Sequence, residues 1–470
     1  MRLDSNDGNS GGFRPSRQVP VRELPVVARL KSVAEVTLGY EKADAMAEAS
    51  RCLLCADEPA CQVAGCPLGS PIADWMRLCG EGRVLEAALL ARQANPLPDV
   101  CGRVCPVDRL CERACILGSA ASEPVAIGEI ERFLGDLLSD HAARNGHETP
   151  CRVHRRERVA VAGMGPAGLA CAEALLLRGF AVTGFDRWPR MGGLLRYGIP
   201  PFKLPASILD RKEAELRNLG LEFSGGRHVG AEPTIWNLLE FGYSAVFIAM
   251  GAPPAETRTV AGAGLAGVQT ATAFLGQANV PRTDRPPELQ QPDEELGQDV
   301  IVIGGSDAAM NCARTALRLG ARRVICVYEG AESHMQAAAC EVRLAREEGV
   351  EMVFEAVPLR FHEAGGRVLS VELKRIDTAG GTATFRLPAD TVVLAMSHDD
   401  ARGTPAREKV SVYDPRFDLE VDLGSGRTSV AGVFACPDAA SGSRTVVAAI
   451  AAGLRGARTV AAYLDGVAVG

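Results

Sequence analysis

Two stretches of the chain follow one plan, and a plan repeated over that length leaves few folds open. Arg158 to Asp186 reads RVAVAGMGPAGLACAEALLLRGFAVTGFD, and Asp299 to Glu329 reads DVIVIGGSDAAMNCARTALRLGARRVICVYE. Each passes from a short apolar run through glycines into an amphipathic stretch, then into a second apolar run that ends on an acidic residue. Strand, glycine turn, helix, strand is the first half of a Rossmann unit. The chain is therefore expected to be α/β, with two Rossmann-like nucleotide-binding domains.

The first turn has Gly163, Gly165 and Gly168 at G-x-G-x-x-G spacing, with Pro166 and Ala167 between the last two. The first glycine permits the turn, the second lets backbone approach a pyrophosphate, and the third packs helix on strand. Asp186 ends the following strand, with Arg187 after it, placed to accept hydrogen bonds from a ribose. The second turn keeps Gly304, Gly305, Asp307, Ala308 and Ala309 but has Ser306 where the second glycine belongs. A serine there takes up room and is expected to resist the backbone angle of the turn.

Ahead of both repeats stand nine cysteines, at 52, 55, 61, 66, 79, 101, 105, 111 and 115, in two closely spaced groups with helical periodicity between them. Iron–sulfur cubanes are held by thiolates that converge from short turns, and Cys66-Pro67 and Cys105-Pro106 repeat a feature of ferredoxin-type runs. The alternative is a pair of structural zinc sites, whose finger and ribbon spacings the longer gaps fit poorly. Cys79 and the scattered Cys151, Cys171, Cys312, Cys326, Cys340 and Cys436 read as packing residues.

The formal net charge of −7 argues against nucleic acid and anionic membrane surfaces as partners. Val159 to Leu177 is apolar over the length of a membrane span, yet it holds Pro166, three glycines and Glu173 and divides into strand, turn and helix. With no secretory pattern at its start, the chain is expected to be cytoplasmic, without a membrane span and with reduced cysteines. Residues 1–25 are polar and Gly/Ser/Pro-rich, expected to be a mobile tail; 141–157 form a polar linker, and 279–299 a proline-rich boundary.

The run C-x2-C, C-P, G-R-V-C-P, L-C-x3-C, followed by PVAIGEIERF, resembles the N-terminal iron–sulfur domain of glutamate synthase small subunits. The same domain opens dihydropyrimidine dehydrogenase, the flavin subunit of NADH-dependent ferredoxin:NADP oxidoreductase, and glutamate-synthase-like oxidoreductases associated with formate dehydrogenases. The resemblance covers residues 26 to 465 and implies an FAD and iron–sulfur oxidoreductase. It implies a helical domain with two 4Fe-4S clusters over 26–140, an FAD domain over 155–285 and 395–470, and an interrupting NAD(P)-type domain over 295–394.

Carried over by position, one cluster takes Cys52, Cys55, Cys61 and Cys115, and the other Cys66, Cys105, Cys111 and the side chain of Glu131. Counting thiols alone favours Cys101 over Glu131 as the eighth ligand. The stretch GGLLRYGIPPFKL, with Gly193 and Leu194, resembles the segment these proteins lay along the flavin. The second flavin contact, a Gly-Gly-Asp turn in relatives, reads Cys436, Pro437, Asp438 here; Asp438 is kept, while Pro437 removes a backbone donor.

Relatives that use NADPH read Y-R-R after the second repeat's last strand, and this chain reads Tyr328, Glu329, Gly330. A later A-I-G turn becomes Ala395, Met396, Ser397. Two readings follow: Glu329, at the place Asp186 holds in the first repeat, selects the unphosphorylated ribose of NAD(H), or the site is degenerate and survives as scaffold. NADPH is not expected in either.

A flavin beside two cubanes couples two-electron to one-electron chemistry, the work of an electron-relay subunit. No hydrolase pattern is present, so the substrate-transforming site is expected on a larger partner. The resemblance offers a glutamate synthase large subunit or a formate dehydrogenase, and FDRWP and DRLCERAC lean toward the formate-associated group. The alternatives are an NADH-dependent flavin oxidoreductase and a structural or assembly subunit whose redox use has decayed.

Overall fold

Helices α1 (Lys42–Ala49), α2 (Ile72–Gly80), α3 (Val84–Ala94), α4 (Pro98–Val104) and α5 (Ile127–Asn145) follow one another before the first repeat. The computed structural model describes residues 17–56, 58–119, 122–145, 154–251, 260–290, 296–376, 383–396, 407–411, 418–422, 424–436 and 445–467. Two compact units emerge. One comprises the residues before Glu23 with Gly39–Gly102 and Val107–Leu138; the other comprises Glu23–Leu38, Arg103–Pro106 and the chain from Ser139 onward.

In the smaller unit Trp75 and Met76 are buried with Ala45, Ala87, Ala88, Ala91, Ile130 and Leu134. The small residues let the helices approach. Gly102 lies against the backbone of Arg132 and Gly135 against that of Asp99, so tightly that a Cβ at either would collide.

The expected helical domain over 26–140 is therefore interrupted twice. Residues 23–38 belong to the larger unit because Arg29 is buried there, bonding Leu24 O at 2.5 Å and pairing with Glu23 and Glu347 at 2.8 Å. The amide of Val36 also donates to Phe202 O at 2.9 Å. Residues 103–106 follow, since Arg103 pairs with Glu35 at 2.6 Å.

The larger unit holds two parallel five-stranded sheets. The first is built from β1 (Arg158–Ala162), α6 (Pro166–Leu176), β2 (Ala181–Asp186), β3 (Glu222–Gly225) and β4 (Ala245–Ile248). The second uses β5 (Val268–Thr270), β6 (Asp299–Ile303), α7 (Asp307–Arg318), β7 (Arg323–Val327), α8 (Ala339–Glu347) and β8 (Glu351–Val353). It also contains an antiparallel sheet of β9 (Ala356–Ala364), β10 (Arg367–Arg375) and β11 (Thr384–Pro388), and then β12 (Thr391–Leu394). The chain returns to the first sheet with β13 (Val433–Ala435) and ends in helix α9 (Val446–Leu464).

Strand orders are β13-β4-β1-β2-β3 and β8-β7-β6-β12-β5. Both are near-continuous apolar strands, as parallel sheets covered on two faces require. β5 corrects one expected boundary. Val268 pairs with Val392, so the chain has entered the second sheet well before residue 285.

Helix α9 is the one described helix long and apolar enough to cross a membrane, but 61% of its apolar window is buried. Gly453 lies against the backbone of Ala167 and Gly456 against the ring of Phe247, which makes α9 a core helix of the first sheet. The apolar stretch Val159 to Leu177 divides into β1, the turn and α6.

Candidate functional site

Cys52, Cys55, Cys61 and Cys115 line one open pocket, walled by Ile72, Met76, Val125 and Ile127. Cys52 and Cys55 come from the chain after α1, Cys61 opens the single turn Cys61–Gly65, and Cys115 follows a short coil. These are the four that the resemblance assigns to one cluster. Burial, reinforced by the neighbouring thiolates of Cys52, Cys115 and Cys55, pushes the Cys61 thiol up to about 12. Four thiols crowded under an apolar roof repel one another as anions, and bound cationic iron relieves both burial and repulsion. Among the described residues no three His, Cys, Asp or Glu side chains converge on a single-ion site.

A second group lies beside the first. Gly65 rests against Cys111, where a Cβ would come within 2.7 Å of the Cys111 Cα, so glycine is what lets Cys66 and Cys111 stand together. Burial raises both thiols, Cys66 with further help from Glu131 and Cys101, and Cys111 with help from Glu112, Glu131 and Cys66. Backbone amides of Ser70 and Leu68 face the Cys66 sulfur.

Glu131, on α5, is half-buried, and burial pushes its carboxyl up to about 7; Asn95 donates to it and Asp99 repels it. A carboxylate buried among thiols needs a cation, which fits an iron corner. Cys101, on α4, is buried within electrostatic reach of Cys66. Cys105 falls in the segment grouped with the larger unit. Asn95, whose role here no sequence motif announced, carries only the turn signal of Asn95-Pro96.

The first glycine turn joins β1 to α6. Gly163 has φ +97°, Gly165 is the N-cap with φ −75°, and a Cβ at Gly168 would strike Gly163 O. Pro166 begins the helix, where a missing N–H costs nothing, and Ala167 and Gly168 follow. Gly193, with φ +53°, comes over the turn; a Cβ there would lie 2.9 Å from the Gly165 Cα. Leu194 next to it is exposed.

Asp186 is buried and holds the turn in place. Its Oδ2 accepts from the Met164 amide at 2.7 Å and its Oδ1 from the Trp188 amide at 2.9 Å. Burial raises its carboxyl although those amides and Arg187 oppose the rise. Each oxygen keeps a second lone pair for a ribose hydroxyl. The Arg187 guanidinium lies 5.0 Å from the Trp188 ring. Pro437 and Asp438 lie outside the described residues.

The second turn is unstrained. Ser306 caps α7 with φ −94° and ψ 172°, close to the −75° and −170° of Gly165, so the serine does not distort the backbone as expected. Its side chain makes no capping bond. What it changes is space: a Cβ at the matching Gly165 meets nothing nearer than Gly193 Cα at 4.0 Å, so a side chain at this position occupies open room beside the turn. Asp307 is engaged locally, its Oδ1 accepting from the Ala338 amide at 2.9 Å and its Oδ2 lying 3.9 Å from Lys203 Nζ. Ala308 is half-buried in the first turn of α7.

One expectation needs correction. Gly163 N donates to Phe185 O at 2.7 Å and Gly304 N to Val327 O at 2.9 Å, while Ala162 pairs with Phe185 and Ile303 with Val327. The residue matching Asp186 is Tyr328, and Glu329 matches Arg187. Tyr328 lays its ring on Gly305 and donates its hydroxyl to His334 O at 2.8 Å. Ala395 and Met396 follow β12, and Ser397 lies outside the described residues.

The family described as dihydropyrimidine dehydrogenase domain II, 4Fe-4S cluster, matches residues 29–143, and that described as pyridine nucleotide-disulphide oxidoreductase matches 157–453. The glutamate synthase (NADPH) small chain of Escherichia coli K12 is 34% identical over 470 residues, covering 96% of this chain and 98% of that one. Its counterpart from Halomonas elongata is 36% identical over 473 residues, covering 96% and 97%. Among solved structures, FprA of Mycobacterium tuberculosis in complex with NADPH shares the fold, with TM-score 0.52 and 19% identity over 66% of this chain and 85% of that one. With relatives matched end to end and both domains identified, the chain belongs to the glutamate synthase small chain family of FAD and iron–sulfur oxidoreductases.

Proposed function

We propose that the chain is an electron-relay subunit that binds FAD and two 4Fe-4S clusters and exchanges electrons with a larger redox catalytic subunit in the cytoplasm. The observation that carries this reading is the convergence of Cys52, Cys55, Cys61 and Cys115 on one cavity in a chain that also holds a complete dinucleotide turn. FAD exchanges electrons in pairs and each cubane exchanges them singly, so bound together they couple two-electron and one-electron partners.

The protein's own part is placement. Amides at the start of α6 receive the FAD pyrophosphate, Gly165 and Gly193 leave it room, and Asp186 and Asp438 bind its sugar groups, with Arg187 and Leu194 beside it. Cys66, Cys105, Cys111 and Glu131 hold the second cluster. The FAD domain is made by β1 to β4 and the segment from β13 onward, the NAD(P)-type domain by β5 to β12. The relatives named as small chains point to a glutamate synthase large subunit as the class of partner, with a formate dehydrogenase as the other partner the motifs suggest.

A second reading, NADH-dependent reduction of the flavin, is favoured by the undistorted turn at Ser306 and by Glu329, which would repel a 2′-phosphate. Protein purified anaerobically should contain FAD and about eight irons. A colourless, iron-free or zinc-containing protein would overturn the relay. Bleaching of the flavin by NADH and not NADPH would establish the second reading; bleaching by neither would leave the second domain as scaffold.

A further inference from the structure

Asn95 closes α3 and is fully buried. Its backbone amide donates to Ala91 O at 2.9 Å, and Pro96 after it favours the extended conformation it adopts, φ −124° and ψ 113°. Both ends of its side chain are occupied. Oδ1 accepts from the Leu97 amide at 3.0 Å, and Nδ2 donates to Glu131 Oε1 at 2.9 Å. The Leu97 N–H can be met only by the carboxamide oxygen, so the group cannot flip and its NH₂ must face Glu131. One Glu131 oxygen is thereby held toward the end of α3, and Oε2 is left unengaged by Asn95.

We propose that Asn95 is a positioning residue for the second cluster: anchored on Leu97, its carboxamide holds Glu131 Oε1 and so turns the carboxylate to offer Oε2 to iron. The inference rests on Glu131 being the eighth ligand. A glutamate has rotatable torsions that a rigid cysteine turn lacks. Without a donor on Oε1 the carboxyl can rotate away, and that removes the ligand. Hydrogen-bonding partners of metal ligands commonly change metal affinity by about 10- to 100-fold.

The decisive variant is Asn95→Asp in the full chain, purified anaerobically. It keeps the acceptor for Leu97 and so the turn, but sets a carboxylate against Glu131 in place of a donor. Expected is loss or displacement of one of two electron paramagnetic resonance signals in the reduced protein, with iron falling from about eight towards about four per chain. FAD content and the other signal should stay as in the parent. The double variant Asn95→Asp with Glu131→Gln restores the pair with donor and acceptor exchanged, and should bring the lost signal back.

Glu131→Ala separates the two claims. If it keeps both signals, the ligand is not Glu131 and this proposal falls with that assignment. If it loses one signal while Asn95→Asp keeps both unchanged, the ligand stands and the positioning role is overturned. Loss of FAD and both clusters in Asn95→Asp, unrepaired in the double variant, would make Asn95 a folding residue and overturn it as well.

Discussion

Tyr328 holds in the second repeat the register position that Asp186 holds in the first, because Gly304 bonds Val327 as Gly163 bonds Phe185. The strand of the second domain is thus followed by an aromatic ring packed over Gly305, and the first charge beyond it is Glu329.

Nucleotide choice should follow that charge. Replacing Glu329→Arg is expected to strengthen NADPH binding about 10- to 100-fold, by exchanging like-charge repulsion for charge-assisted bonds, with little change for NADH. Calorimetric titration of the oxidised protein with each nucleotide checks this. An unchanged NADPH affinity would remove residue 329 from the selection.

The two turns differ by one side chain, and exchanging it tests what that side chain does. Gly165→Ser keeps an allowed backbone and its Cβ has Gly193 Cα, at 4.0 Å, as the nearest atom beyond its chain neighbours, so the protein should fold while its FAD content drops severalfold. Ser306→Gly should leave FAD content alone and improve any dinucleotide binding at the second turn. Flavin released on denaturation, measured against protein, reads the first effect.

The two cysteine groups should fail separately. Cys61→Ser is expected to remove one cluster, about half the iron, and to leave the other. Cys101→Ser should retain all of it. Iron analysis with paramagnetic resonance distinguishes these, and loss of a cluster in Cys101→Ser would transfer the eighth position from Glu131 to Cys101.

Stability should depend on a buried ion-pair network in which Lys203 of the first nucleotide domain joins charged residues of the second. Arg314 pairs with Glu348 and Glu341 at 2.8 Å, Arg318 with Glu348 at 2.6 Å, and Lys203 with Glu341 at 3.0 Å. Burial alone would raise both carboxyls, but Lys203 and Arg314 hold Glu341 below the usual range, and Arg318 and Arg314 do the same for Glu348. Groups lowered in this way stabilise the fold fully above the unfolded carboxylate pKa, about 4.3, and lose that contribution as acid takes the pH down through the lower folded values. Glu348→Ala strands the Arg318 guanidinium and leaves Arg314 with Glu341 alone, and should cost about 3–5 kcal/mol at neutral pH. Denaturant melts at pH 7 and near pH 4 check both, and a variant as stable as the parent at pH 7 would refute the network's role.

Much of the molecule could be read before folding. Both Rossmann halves, the complete first turn and the paired cysteine groups lie in local spacing, because a tight turn and a short metal loop are each made by neighbours in sequence. Ser306 was legible as a departure, yet its consequence was not. The sequence suggested a strained backbone, and the fold has an ordinary angle with an intruding side chain. Residues 23–38 look like the start of the cysteine domain, but Arg29 and Val36 find their partners at Glu347 and Phe202, more than a hundred residues away.

By itself the sequence determined the chemistry available: thiolates in two groups, one intact glycine turn, one altered turn, and a net acidic charge. The tertiary structure alone decided who stands beside whom. Gly65 lets Cys66 reach Cys111, the return of β5 to β12 moves a domain boundary, and a strand pairing seats Tyr328 where an acid was expected. The reason is physical: register and close packing are set by contacts between residues far apart in the chain, and a one-residue shift changes which side chain faces a site without altering the local pattern that announces it.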